Sequence, residues 1–229
     1  GGGMKNRRPQ VKICGLTRVD DAVACARAGA DAIGLVFFPP SPRHVSVAIA
    51  GKIVGALPPA VAKVGVFVDD PLDKVLEVAR TVGLTAVQLH GKESPAMVAE
   101  LKAAGLTVIK ALFAARAPGL ERADTFGADA VLFERGAGRL PGGNAETWDY
   151  GLVRRPGLGP PLILAGGLAP GNVATALATA RPDAIDLSSG VEARPGRKEI
   201  ALVKSLMASV AACGSLYTDT ADHALRRIF

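Results

Sequence analysis

An α/β fold in a single domain, closed into a (β/α)8 barrel, is what this sequence predicts. Three observations carry that expectation. Eight short runs rich in Val, Ile and Leu recur along the 229 residues. Ala-rich or amphipathic segments fill the intervals between them. The runs are continuously apolar rather than alternating, as strands buried on both faces of a parallel sheet must be. Eight βα units in about 200 residues favour a closed TIM barrel over an open doubly wound sheet.

The elements follow in order. The strands are VKIC (11–14), AIGLVF (32–37), AKVGVF (62–67), AVQLH (86–90), TVIKAL (107–112), DAVLFE (129–134), PLILA (161–165) and AIDLSS (184–189). Eight helices should alternate with them, among them DDAVACARAGA, DKVLEVARTV, PAMVAELKAAG, APGNVATALATA and EIALVKSLMASV. The sixth is the weakest, because GLVRRPG is short and reaches Pro156. Gly-Ala-Asp-Ala occurs twice, in AGADAIGLVF and FGADAVLF, where a helix-ending glycine leads into a strand. Residues 1–10 are expected to be disordered, with Gly1, Gly2 and Gly3 ahead of Met4 an addition from cloning. The barrel then spans 11–213, and 214–229 form a C-terminal tail compatible with helix.

Composition narrows the function classes. With 49% hydrophobic and 21% charged residues the chain can bury a full core. No apolar run approaches the ~18 residues of a membrane span. Cys14, Cys25 and Cys213 are odd in number and widely spread, so no disulfide framework is implied and a reducing cytoplasm is the natural setting. The net charge of +6 points to an anionic partner. Aromatic residues are only 4% and the basic ones are scattered, so the expected partner is a phosphorylated small molecule rather than nucleic acid. A monomer or homodimer suits such a chain.

The chemistry should sit where the strands end, since a barrel of this kind gathers its active site at the C-terminal mouth. The polar residues there are Cys14, Arg43 in the loop that follows, His90, Glu134, Gly166 with Gly167, and Asp186 with Ser188, Ser189 and Gly190. The glycines and serines after the seventh and eighth runs read as a phosphate site. Backbone N–H groups can approach an anion closely there, and a helix N-terminus behind them adds its dipole. Lys12 and Cys14 lie two apart and point to one side, so the ammonium should lower the thiol pKa and make a base or nucleophile. Cys25, within the first helix, reads as inert. Glu134 follows four apolar residues and should be desolvated, which raises its pKa and suits it to donate a proton. GLVFFPPSPRHVS (34–46) breaks an apolar strand into three prolines before Arg43, a stiff loop presenting a guanidinium. Of the three histidines, His44, His90 and His223, only His90 ends a strand, so no metal site is expected.

Taken together, KICGLT, GVFVDDP, VQLHGKE, PGGNAETWDY, LAGGLAPGNV and DLSSGVEARPGRK resemble the phosphoribosylanthranilate isomerase family of tryptophan biosynthesis. The resemblance implies an Amadori rearrangement of N-(5-phosphoribosyl)anthranilate to the 1-deoxyribulose phosphate product, without metal or cofactor. It implies Cys14 as the base and Glu134 as the acid. Arg43 would hold the anthranilate carboxylate, with Asp186 and His90 as further substrate contacts. Two departures stand out: the family acid is ordinarily aspartate, and the loop after it carries Ala145, Trp148 and Tyr150 where the family pattern differs. Competing readings are a related sugar-phosphate isomerase, which would use aspartate where Cys14 stands, and a phosphate-binding barrel that has lost catalysis and serves as a binding module.

Overall fold

The computed structural model describes residues 7–137, 147–153, 159–217 and 224–229. Ala145, Pro156, His223 and the leading glycines lie outside them. Eight parallel strands close into one barrel in chain order: β1 (Gln10–Ile13), β2 (Ala32–Val36), β3 (Ala62–Phe67), β4 (Ala86–Leu89), β5 (Thr107–Phe113), β6 (Ala130–Glu134), β7 (Leu162–Leu164) and β8 (Ala184–Leu187). The ring shuts where β1 pairs with β8, Lys12 opposite Asp186.

Six α-helices are described: α1 (Val19–Arg27), α2 (Val47–Ala56), α3 (Leu72–Val82), α4 (Pro95–Ala103), α5 (Val173–Ala180) and α6 (Ile200–Ala212). Their apolar stripes explain them. In α3, Val75, Val78, Ala79 and Val82 are buried at helical spacing, and Gly83 ends the helix in the left-handed region at φ 84°. Ser46 and Ser94 cap α2 and α4 by accepting from Ile49 N and Met97 N. The expectation of eight helices is corrected at two places among the described residues. After β5 and after β6 there are only 3-10 turns, Leu120–Arg122 and Tyr150–Leu152. Pro118-Gly119 interrupts the first of these segments before any helix can nucleate.

Period-2 alternation sorts each strand into two cores. Outward residues such as Val11, Ile33, Leu35, Val87 and Leu164 pack under the helices. Inward residues such as Ala32, Val64, Ala86, Ile109, Leu132 and Ala184 fill the barrel. Each fully buried Leu, Ile or Val contributes roughly 1.5–3 kcal/mol.

The base of the barrel repeats itself. Asp31, Thr85, Asp129 and Asp183 stand immediately before an alanine that opens β2, β4, β6 and β8. Their side-chain oxygens accept from the backbone N–H of the preceding strand, at Val11 (2.7 Å), Lys63 (2.9 Å), Val108 (2.8 Å) and Leu162 (2.8 Å). Ala32, Ala86, Ala130 and Ala184 belong to the interior core, a layer of four from alternate strands. The two Gly-Ala-Asp-Ala segments are thus part of a wider two-strand period.

Both chain ends are tied to the barrel among the described residues. Order begins before residue 11, because Arg8 Nη1 reaches Asp31 Oδ2 at 2.7 Å. The described end of the tail is not helical. Ile228 and Phe229 pack against the interior core, and Gln10 Oε1 accepts from the N–H groups of both, at 2.7 and 3.0 Å. Arg226 pairs with Asp183 at 3.1 Å. Residues 226–229 therefore cover the base of the barrel.

No helix among the described residues is long and apolar enough to cross a membrane. Between β8 and α6 the chain makes a 3-10 turn, Ser189–Val191, and then an antiparallel hairpin of β9 (Glu192–Arg194) and β10 (Arg197–Lys198). The loop after β7 leads into α5, whereas the loop after β8 leads through that 3-10 turn and the hairpin before it reaches α6.

Candidate active site

Nine of the ten expected residues line one cleft at the C-terminal mouth; Gly190 does not. Alternation puts them there, because Cys14, His90, Glu134 and Ser188 each continue the inward-facing register of Lys12, Gln88, Leu132 and Asp186.

Glu134 is buried, and its Oε1 lies 3.0 Å from His90 Nε2. The other ring nitrogen, Nδ1, is 2.9 Å from Gln88 Nε2. With the amide donating, His90 carries its proton on Nε2 and donates to Glu134. Gln88 Oε1 is then the one buried side-chain polar atom without a partner among the described residues. The two-residue spacing in VQLH was the available signal for Gln88, and it went unread.

On the opposite flank, Lys12 is fully buried and its Nζ meets Asp186 Oδ1 at 2.8 Å. Burial pulls the Lys12 ammonium down, but Asp186 and Cys14 outweigh it and hold it above its ordinary 10.5. The expectation for Cys14 is corrected in sign. Burial pushes the thiol above its ordinary 9.0, and the Asp186 carboxylate adds to this; Lys12 and Lys198 offset it only in part. Cys14 therefore rests as a thiol at neutral pH. Cys25 is likewise raised, to about 11, chiefly by burial, which fits an inert role. Asp186 is thus engaged with Lys12 on the Cys14 side of the cleft.

Arg43 is buried although its loop is rich in proline. The loop turns back on β2: Val45 N donates to Val36 O at 3.0 Å, and Arg43 N donates to Ser41 Oγ at 3.1 Å. The guanidinium is held by Glu192 of β9, with Nε 3.0 Å from Oε1 and 3.1 Å from Oε2, and Nη2 2.5 Å from Oε1. Lys198 Nζ, itself buried, meets Glu192 Oε2 at 3.1 Å. Burial raises the Glu192 carboxyl, but Arg43 and Lys198 more than reverse that and keep it ionised. Burial lowers Lys198, with Glu192 opposing. Sequence reading missed Glu192 and Lys198, which lie in a segment with no strand-end signal.

The loops after β7 and β8 both line the cleft. Among the described residues the backbone N–H groups of Gly167, Leu168, Ser189 and Gly190 meet no protein acceptor, the arrangement of an anion-binding nest. A Cβ on Gly190 would fall 1.8 Å from Leu168 O, so glycine at this position lets the two loops touch. Ser188 Oγ donates to Cys14 O at 3.1 Å, which spends the hydroxyl on bracing β1. Asn172 clasps the β7 loop, accepting from Ala169 N and donating to Gly167 O. Trp148 Nε1 and Tyr150 Oη donate to Ala165 O (3.0 Å) and Gly166 O (2.7 Å). The aromatic departures noted in the sequence thus buttress the loop after β7.

A family model described as N-(5'phosphoribosyl)anthranilate (PRA) isomerase matches residues 11–209. A protein of Desulfatibacillum aliphaticivorans named N-(5'-phosphoribosyl)anthranilate isomerase is 47% identical over 208 residues, 91% of this chain and 95% of its own. The crystal structure of phosphoribosyl anthranilate isomerase from Thermotoga maritima is similar with a TM-score of 0.82 at 38% identity, covering 89% of this chain and 99% of that one. A second structure of such an isomerase, in complex with reduced 1-(o-carboxyphenylamino)-1-deoxyribulose 5-phosphate, gives a TM-score of 0.77 at 36% identity with the same coverage.

Proposed function

The chain belongs to the N-(5'-phosphoribosyl)anthranilate isomerase family, and from that premise we propose how its rim residues divide the reaction. The activity is the isomerisation of N-(5'-phosphoribosyl)anthranilate in tryptophan biosynthesis. The phosphate settles on the bare N–H groups of Gly167, Leu168, Ser189 and Gly190, with Gly166 and Ser188 shaping the nest. The anthranilate carboxylate meets Arg43. Glu134 gives a proton to the ribose ring oxygen, the bond from C1 to that oxygen breaks, and the nitrogen lone pair forms the C1 iminium. Cys14, once its thiol has released its proton to solvent, takes the C2 proton as the thiolate, and the C–H electrons form the C1–C2 double bond while nitrogen regains its pair. Protonation at C1 and loss of the C2 hydroxyl proton give the ketone.

The observation that carries this reading is one cleft holding a carboxyl bonded to buried His90 and a thiol beside the buried Lys12–Asp186 pair, between a guanidinium and an anion nest. The raised resting pKa of Cys14 fits the order of steps. Burial makes a thiolate costly at this position, yet the iminium brings a cation beside it once Glu134 has acted. His90 donates to the carboxylate that Glu134 becomes, so the spent acid is not left bare.

The test is the decay of phosphoribosylanthranilate fluorescence with purified protein and its variants. The parent should consume the substrate, and Cys14→Ala should lose roughly 10²–10⁴-fold in kcat, the scale of one general base. Cys14→Ala within a few-fold of the parent would remove Cys14 from the role of base.

A further inference from the structure

Arg43 reaches the cleft with one edge already taken. Its Nε and Nη2 are spent on Glu192, while Nη1 has no hydrogen-bond partner among the described residues. The Glu192 carboxylate is itself fully engaged, since Oε2 accepts from Lys198 Nζ at 3.1 Å and from Gly196 N at 2.9 Å. Glu192 and Lys198 are register partners in the β9–β10 hairpin. Lys198 Nζ also donates to Ser188 O at 3.2 Å, on the phosphate side of the cleft. The hairpin base is pinned in turn by Thr17 Oγ1, which donates to Gly196 O at 2.5 Å.

We infer that Glu192 is a positioning residue that sets carboxylate specificity: through the hairpin it holds the free edge of Arg43 at a fixed span from the phosphate loop. This rests on Arg43 being the carboxylate ligand. A guanidinium on a long stem that must be ordered during binding forfeits affinity, and one held beforehand does not. Glu192 and Lys198 therefore tie together the two anchors for a ligand that is anionic at both ends. A ligand with only the phosphate end uses one anchor and gains nothing from the tie.

The experiment measures Kd, by calorimetry, for the reduced product analogue and for the same compound without the ortho carboxylate. The ratio of the two constants is the carboxylate preference. Glu192→Gln should lower that preference on the order of 10-fold, the scale of a charge-assisted hydrogen bond, and Glu192→Asp should recover part of it. If Glu192→Gln does not fold, Glu192→Asp carries the test by itself, with a smaller loss expected. Equal weakening toward both compounds, or an unchanged preference, would overturn the inference. Arg43→Met is the control for the premise. Should Arg43→Met lower the preference while the Glu192 variants do not, only the positioning role fails; should Arg43→Met leave it intact, the carboxylate role of Arg43 fails and takes this inference with it.

Discussion

Removing the Lys12 ammonium separates stability from catalysis in this barrel. Lys12→Met keeps the length and apolar stem but deletes the charge that faces Asp186 at 2.8 Å. Lys12 is fully buried and the Asp186 side chain is 12% exposed, so the abandoned carboxylate keeps only slight access to water. Removing one partner of a buried pair costs about 3–5 kcal/mol, and that residual access places this case near 3 kcal/mol. For a chain of this size that corresponds to a fall in Tm of roughly 6–12 °C. Because Lys12 titrates above its ordinary 10.5, the pairing contributes in full at neutral pH and is lost only as the pH climbs through that raised value. The neutral double variant Lys12→Met/Asp186→Leu should recover most of the lost Tm, since a buried pair replaced by apolar groups is often neutral or better. Activity should not return with it. Lys12 lowers the Cys14 pKa, so its loss moves the alkaline rise of kcat/KM to still higher pH. Thermal unfolding by circular dichroism and the fluorescence decay assay read the two effects. A Tm within about 2 °C of the parent for Lys12→Met, or a double variant no more stable than the single one, would refute a dry ion pair at this position.

Glu134→Gln should abolish proton donation and cost roughly 10²–10⁴-fold in kcat. Glu134→Asp should keep the chemistry while drawing the carboxyl away from His90, so a loss as large as that of Glu134→Gln would mean that reach, as well as acidity, is required. Gly190→Ala must push the two phosphate loops apart, because its Cβ would meet Leu168 O. Titration with inorganic phosphate should show at least a roughly 10-fold weaker Kd, the scale of one lost charge-assisted hydrogen bond, and unchanged affinity would remove Gly190 from the nest. Deleting residues 224–229 removes the half-buried Ile228 and Phe229 and uncovers the interior core they pack against. A loss of about 1–3 kcal/mol follows from that apolar area, seen as a Tm lower by about 2–12 °C; an unchanged Tm would show that residues 224–229 pack without contributing.

The site was legible in the sequence to the extent that it lies at strand ends. Cys14, His90, Glu134 and the Gly-Gly and Ser-Ser-Gly loops each mark the point where an apolar run stops, and closure of the ring brings them to one cleft. Gln88 was hidden inside a run, masked by the apolar residues around it. Glu192 and Lys198 were hidden in a hairpin whose composition resembles ordinary surface loop. The fifth helix was overcounted because alternation of βα units was extended across a segment broken by Pro118-Gly119.

What the sequence by itself determined is what short-range chemistry controls. Apolar runs of strand length, the inward and outward alternation along them, and the Asp-Ala or Thr-Ala step opening every second strand all follow from neighbours in the chain. Tertiary structure alone decided which groups meet. Arg43 and Glu192 are 149 residues apart, and Lys12 and Asp186 are 174 apart. Those pairings exist only because β8 closes onto β1 in one register. The direction of the Cys14 shift was decided at the same level. Spacing places a lysine near the thiol, but desolvation depends on everything packed around both, and here burial outweighs the cation.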